Sequence, residues 1–303
     1  MNATNDIIRL EGVRKTYEQG GRRQTVLDAV DASFPEGAVT VLLGKSGSGK
    51  STLLNMLGGI DTADAGRITV AGHEVSAMND RALTLFRRRT VGYVFQFFHL
   101  LPALTVLENV TLPQELDGRS AAGLRAKALG LLDRVGLAHK ADAMPETLSG
   151  GEQQRVAIVR ALAHDPAVLL ADEPTGNLDA ATGDQVLRLL LELTREAGKT
   201  LVIATHSHDV LPHADHVHEV RGGGVHKLSA GELLRQEHTL LASAGSTRDS
   251  AGSTRDSAGS TRDSAGDTRD SAGDTRASDI ASTTSADAAP ADVPRTDTGA
   301  TSA

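Results

Sequence analysis

Two hydrophobic periodicities take turns along residues 1–239, and both stop near residue 240. Ala38-Val-Thr-Val-Leu-Leu43 is short, β-branched and almost continuously apolar, the pattern of a strand covered on both faces. Glycines follow, then Lys50-Ser-Thr-Leu-Leu-Asn-Met-Leu57, which reads as a helix. Residues 168–171 and 200–204 predict two more buried strands, each running into polar residues. The helix predicted between them, over residues 181–196, sets Val186, Leu187, Leu189, Leu190 and Leu193 on one broad stripe. Strand, helix and strand in succession predict an α/β fold. Its sheet is parallel, with a ligand at the carboxyl ends of the strands. Residues from about 98 to 164 carry no strand pattern and predict a helical insert.

Beyond residue 240 a seven-residue unit recurs. Ser-Thr-Arg-Asp-Ser-Ala-Gly fills 246–252, 253–259 and 260–266, changes its first residue to Asp at 267–273, and is cut short from Asp274. The period is that of a coiled coil, but the unit has no pair of apolar positions to form a seam. Small polar residues with paired Arg and Asp bury too little surface to offset ordering entropy. Residues 240–303 are therefore expected to be a disordered, low-complexity tether.

Composition narrows the picture. With 39% apolar residues but only two Tyr, five Phe and no Trp, the core must be aliphatic. A net charge of −8 without a long basic run argues against nucleic-acid binding, which needs phosphate neutralisation. Arg87-Arg88-Arg89 is the densest basic cluster and reads as a solvated face. The absence of cysteine excludes disulfides and thiolate metal sites. The first residues, Met1-Asn2-Ala3-Thr4-Asn5-Asp6, do not read as a secretory signal. Apolar runs fall far short of the ~20 residues that span a bilayer. The expectation is a soluble cytoplasmic chain whose membrane role runs through a partner. Histidines 206, 208, 213, 216, 218 and 226 cluster late in the chain, but their spacing has no clear zinc-ligand pattern.

The candidate chemistry begins at Gly44-Lys45-Ser46-Gly47-Ser48-Gly49-Lys50-Ser51, a complete G-x-x-x-x-G-K-[ST] phosphate loop with a strand before it and a helix after it. Its glycines let backbone N–H groups converge on an anion at a helix N-terminus. Lys50 is expected on the β- and γ-phosphates, Ser51 on Mg²⁺ and Thr52 on the α-phosphate. Asp172, at the end of the apolar run 168–171, supplies a second Mg²⁺ ligand. Glu173 beside it is placed to polarise the attacking water.

Leu148-Ser-Gly-Gly-Glu-Gln-Gln-Arg155 is the second informative stretch. Together with the phosphate loop it resembles the ATPase subunits of ATP-binding-cassette (ABC) transporters. Over residues 6–238 the other positions fall in family order. Tyr17 matches the aromatic that stacks on adenine. Gln96 matches a glutamine that contacts Mg²⁺ or the lytic water. Asp179, in Glu173-Pro-Thr-Gly-Asn-Leu-Asp179, matches a loop touching the opposite subunit, and His206 matches a histidine on the γ-phosphate. Lys45 departs from the small or Pro residue of the family pattern. The resemblance implies a RecA-like P-loop NTPase core, an N-terminal antiparallel β subdomain and a helical signature subdomain, all within residues 1–239. It also implies a homodimer around two ATP–Mg, in which Ser149, Gly150 and Gly151 of one subunit meet the γ-phosphate held by the other.

The stretch Gly92-Tyr-Val-Phe-Gln-Phe-Phe-His-Leu-Leu-Pro102, with the residues that follow as far as Asn109, looks like the branch serving lipoprotein release, macrolide or peptide export, and cell division. That likeness implies a separate permease, with the chain peripheral at the cytoplasmic face of the membrane. Phe97, Phe98 and Leu100 would form an apolar wall for the permease, or pack inside the helical insert. A soluble family member acting on DNA or ribosomes is the competing class. Residues 50–148 are too short for a long coiled coil and there is one phosphate loop, which favours the transporter.

Overall fold

Apolar runs as continuous as 38–43, 168–171 and 200–204 need cover on both sides, and the architecture provides it. The computed structural model describes residues 5–118, 121–229 and 231–232. Strands β1 (Asp6–Gln19) and β2 (Arg22–Pro35) form a hairpin. It closes on Gly20-Gly21 with φ of 58° and 75°, the two left-handed residues of the turn that best fits strand twist. Strand β3 (Val39–Leu43) leads through the phosphate loop into α1 (Lys50–Leu57). Strands β4 (Ala65–Val70) and β5 (His73–Glu74), helix α2 (Asp80–Arg89) and β6 (Val91–Val94) follow. Then come α3 (Val106–Glu115), α4 (Ala121–Arg134), α5 (Gly150–Ala163), β7 (Val168–Asp172), α6 (Ala180–Glu196), β8 (Thr200–Thr205), β9 (His216–Arg221) and β10 (Gly224–Lys227).

Two sheets result. One is antiparallel, in the order β2-β1-β4-β5. The other runs β10-β9-β3-β8-β7-β6; its strands β9 to β6 are parallel, and β10 adds an antiparallel edge. Alternation along the parallel strands divides their side chains between two cores. Val39, Val41, Leu43, Leu169, Ala171, Leu201 and Ile203 join the helices α3 to α6. Leu42, Val168, Leu170, Val202 and Ala204 face α1, α2 and the antiparallel sheet.

Among the described residues, 98–164 hold α3, α4, α5 and short 3₁₀ turns, with no strand. The stripe of α6 differs in detail, since Leu191 is buried and Leu189 is half-buried. The arginine cluster differs more. Arg87 donates to the carbonyl of Gly59, Arg88 to that of Leu116, and Arg89 pairs with Asp117 at 2.8 Å. Arg88 thus places a cation at the carbonyl end of α3, where the helix dipole favours it. The cluster ties α2 to two loops, so it is more than a solvated face. Among the described residues no helix is long and apolar enough to cross a membrane. The tether expected at 240–303 lies outside the described residues.

Candidate active site

The parallel strands end their carboxyl termini on one set of polar groups. Strand β3 delivers the phosphate loop, in which Gly47 and Gly49 take φ of 76° and 105°. A side chain at Gly49 would also meet Val26 at 2.9 Å, so this turn requires glycine on both counts. Lys50 is 5% exposed, and its Nζ donates to the carbonyls of Gly44 and Lys45 at 2.8 and 3.1 Å. The ammonium is thereby aimed across the loop, 3.8 Å from Glu173 Oε1.

Strand β7 delivers the acidic pair. Burial raises the Asp172 carboxyl above its usual range; the Ser51 hydroxyl bonded to it and nearby Lys50 oppose that rise, and Glu173 adds to it. Asp172 Oδ1 is buried and has no hydrogen-bond partner in the protein. Buried carboxylate oxygens are rarely left so. A hard cation held by Asp172 and Ser51 fits this oxygen set.

Glu173 is held from three directions. Its backbone N–H donates to Ala204 at 2.8 Å. Its carboxylate accepts from Thr205 Oγ1 at 3.1 Å and from the Nδ1–H of His206 at 2.9 Å. Its φ is 44°, a left-handed conformation that costs a non-glycine residue about 1 kcal/mol or more. Thr205 at the end of β8 and His206 just after it thus hold Glu173, which directly follows β7.

The remaining predicted residues separate into those that meet this centre and those that do not. Thr52 faces the phenol of Tyr17, which donates to Asp61 at 2.7 Å. Gln96 bonds elsewhere: its amide reaches Asn177 at 3.5 Å, and Asn177 donates to the Gln96 carbonyl at 2.9 Å. Ser149 caps α5 in a reciprocal box with Glu152. Lys140 pairs with Glu152 at 2.6 Å and, with the Ser149 amide, holds its carboxyl down at about 2. Gly150 lies against Leu178 and Phe98. A side chain on Gly151 would meet Thr182 of α6 at 2.5 Å, so this glycine lets α5 and α6 pack closely. Asp179 caps α6 by accepting from the Thr182 amide at 3.0 Å, and bonding to Thr182 holds its carboxyl low. Among the described residues no hydrogen bond joins 149–151 to 44–52.

Sequence reasoning missed the groups that tie these loops together. Gln154 is fully buried and its Nε2 donates to the carbonyls of Phe95 and Pro174 at 3.3 and 2.7 Å. Arg160 donates to the carbonyls of Phe98 and His99. Asn109 bonds to Leu101, Leu104 and Thr105 from inside α3. Only the Gln-Gln-Arg run after the signature hinted at the first of these. Phe97 is 64% exposed, whereas Phe98 is half-buried and Leu100 packs on the core. The expected apolar wall is thus split between surface and interior.

A strand, a glycine-rich loop, a helix-borne Lys-Ser and a strand-end Asp define a P-loop nucleoside triphosphatase. Comparison with known proteins narrows the class. Residues 27–176 match the family model described as ABC transporter. An uncharacterised ABC transporter ATP-binding protein of Mycobacterium tuberculosis is 53% identical over 217 residues, covering 72% of this chain and 88% of that one. The lipoprotein-releasing system ATP-binding protein LolD of Cereibacter sphaeroides is 47% identical over 222 residues, covering 73% and 99%. A solved dimeric structure of MJ0796, a bacterial ABC transporter cassette, superposes with a TM-score of 0.67 at 41% identity, covering 72% and 96%. A second structure of that cassette, a post-hydrolysis state bound to ADP and Pi, gives 0.68 at 38% identity, covering 75% and 98%. The chain belongs to the ATP-binding, ATP-hydrolysing subunits of the ABC transporter family.

Proposed function

We propose that this chain binds ATP with Mg²⁺ between two copies of itself and uses hydrolysis to drive a separate membrane permease of the lipoprotein-release or export type. The observation that carries the reading is Asp172 Oδ1, buried without a protein partner beside the Ser51 hydroxyl and the Lys50 ammonium. The LolD relatives and the dimeric cassette neighbour support the permease and the dimer.

In this reading the backbone of Gly44, Lys45, Ser46, Gly47, Ser48 and Gly49 cradles the phosphates and Lys50 neutralises them. Thr52 meets the α-phosphate and Tyr17 the adenine. Asp172 and Ser51, with Gln96 once it leaves Asn177, hold Mg²⁺, which would draw charge from the phosphate oxygens. Glu173 takes the proton of the attacking water, and His206 and Thr205 keep its carboxylate aimed. Ser149, Gly150, Gly151 and Asp179 of the second copy complete the site. Two phosphate-binding stretches in one chain then serve two different nucleotides. Gln154 bridges Pro174, next to Glu173, to Phe95, two residues from the exposed Phe97. This link lets events at the γ-phosphate reach a surface placed to meet the permease, which would hold the chain at the cytoplasmic face.

The test is steady-state hydrolysis by the full-length chain. ATPase activity should require Mg²⁺ and rise more steeply than linearly with protein concentration, as a dimer dictates. Asp172→Asn should abolish it. Undiminished turnover in that variant would overturn the reading.

A further inference from the structure

Around Tyr17 stand two charged residues, Lys15 and Asp61, to which the proposed hydrolysis gives no role. Lys15 and Tyr17 lie two residues apart on β1, so their side chains leave the same face of the strand. Lys15 is 7% exposed, and its Nζ stands over the Tyr17 ring, 5.0 Å from its centroid. The same ammonium donates to Asp61 Oδ1 at 2.6 Å and to the Thr62 carbonyl at 2.8 Å. Asp61 Oδ2 accepts from the Tyr17 phenol at 2.7 Å, and Asp61 Oδ1 also accepts from the Thr62 amide. Asp61 sits in the turn after α1, the helix that begins at the phosphate loop, and the amides of Ile60 and Asp61 bond back to Asn55 of that helix.

These contacts fix what a lone aromatic on a strand would leave free. The phenol anchor sets the ring torsion, the cation covers one face, and the ring remains 40% exposed. A base arriving on the uncovered side meets a ring whose orientation is already chosen, so less side-chain entropy is lost on binding. We propose that Asp61 and Lys15 are positioning residues that brace Tyr17 as a one-sided platform for the adenine of ATP. This rests on the reading that Tyr17 meets the base. Because the brace is built into the turn after α1, platform and phosphate loop move as one unit.

Three variants of the full-length chain separate the brace from the platform. Tyr17→Ala removes the ring and should raise the KM for ATP about five- to a hundredfold, the range for loss of base stacking. Tyr17→Phe keeps the ring and removes only its anchor. Asp61→Asn removes the charge that holds Lys15. Each should raise KM by about two- to tenfold, the effect of one side chain left to order on binding, with kcat changed by less than about twofold. Because both loosen one network of Tyr17, Asp61 and Lys15, the double variant should raise KM by less than the product of the two single effects. A structural role alone would shift the melting temperature and leave KM unchanged. A second readout is the ultraviolet titration of tyrosinate. Burial and Asp61 raise the Tyr17 phenol, and burial holds the other tyrosine, Tyr93, far higher, so Tyr17 ionises first; Asp61→Asn should lower that transition. If Tyr17→Ala raises KM while Tyr17→Phe and Asp61→Asn do not, the brace is refuted and the platform stands. If Tyr17→Ala leaves KM unchanged, both fall.

Discussion

Replacing Glu173 by Gln tests the chemistry with almost no change of shape. The variant keeps the backbone bond to Ala204, and with its oxygen on the Oε2 side it still accepts from Thr205, while the bond that His206 donates on the Oε1 side is lost. Its other terminus is an NH₂ group facing Lys50, 3.8 Å from the native oxygen, and cannot take a proton from water. A positioned general base contributes about 10²–10⁴ in rate, or about 3–5 kcal/mol of barrier. ATP binding should survive, because the cradle, Lys50, Ser51 and Asp172 are untouched. Two measurements separate these effects. Phosphate release under saturating ATP–Mg should fall by at least about a hundredfold. Size-exclusion chromatography with light scattering should find the variant dimeric in ATP–Mg and monomeric without nucleotide. A loss of less than tenfold would show that the contacts of Glu173 with His206 and Thr205 do not aim a base. Loss of ATP binding would show that its role is in the cradle.

Two further predictions follow from strain and burial. Glu173→Gly and Glu173→Ala both lack the carboxylate, but only glycine is at ease at φ 44°; the Gly variant should be the more stable by about 1 kcal/mol, or about 2–4 °C in melting temperature, and equal stabilities would deny the strain. His218 is buried against the edge of Phe34, and burial, with Lys227 and His216 adding, pushes its imidazole down to about 4. It therefore stays neutral in the folded chain while the unfolded chain protonates near the ordinary value of 6.5. Stability from this group is complete above that value and falls as the pH drops from 6.5 towards 4, by about 3 kcal/mol in all. In denaturant melts His218→Leu should lack that share of the acid sensitivity; parallel pH profiles for the two proteins would refute it.

What could be read from the chain beforehand is what is encoded in short spacings. Strands β3, β7 and β8 announce themselves as unbroken apolar runs because helices cover both faces. The phosphate loop, Asp172 and Glu173 sit at fixed distances from those runs, so their convergence at the strand ends follows from parallel pairing. The antiparallel sheet was expected only through the family resemblance. Its pattern is blurred by bulges between Leu10 and Lys15 and by left-handed backbone at Gly12 and Ala29, which reset the alternation of β1 and β2. The one local signal of this sheet is Gly20-Gly21, a pair that suits the left-handed hairpin turn. Asp61, Gln154 and Arg160 could not have been found this way. Each acts through a bond to a residue between 44 and 62 positions away, and no local pattern records such a partner. The arginines of α2 mislead for the same reason: a run of charge reads as solvated until the carbonyls of Gly59 and Leu116 are in place.

The central claim is that Ser149 to Gly151 serve the nucleotide of another copy, and mixing two dead proteins tests it most directly. Lys50→Ala disables a copy's own cradle, and Ser149→Arg blocks what it offers its neighbour. Each homodimer should be inactive. In an equal mixture half of the dimers are mixed, and each mixed dimer has one site with both parts intact, so about a quarter of wild-type turnover should return for independent sites in a symmetric dimer. A mixture no more active than its two components would contradict a shared site and place the signature in service of its own chain.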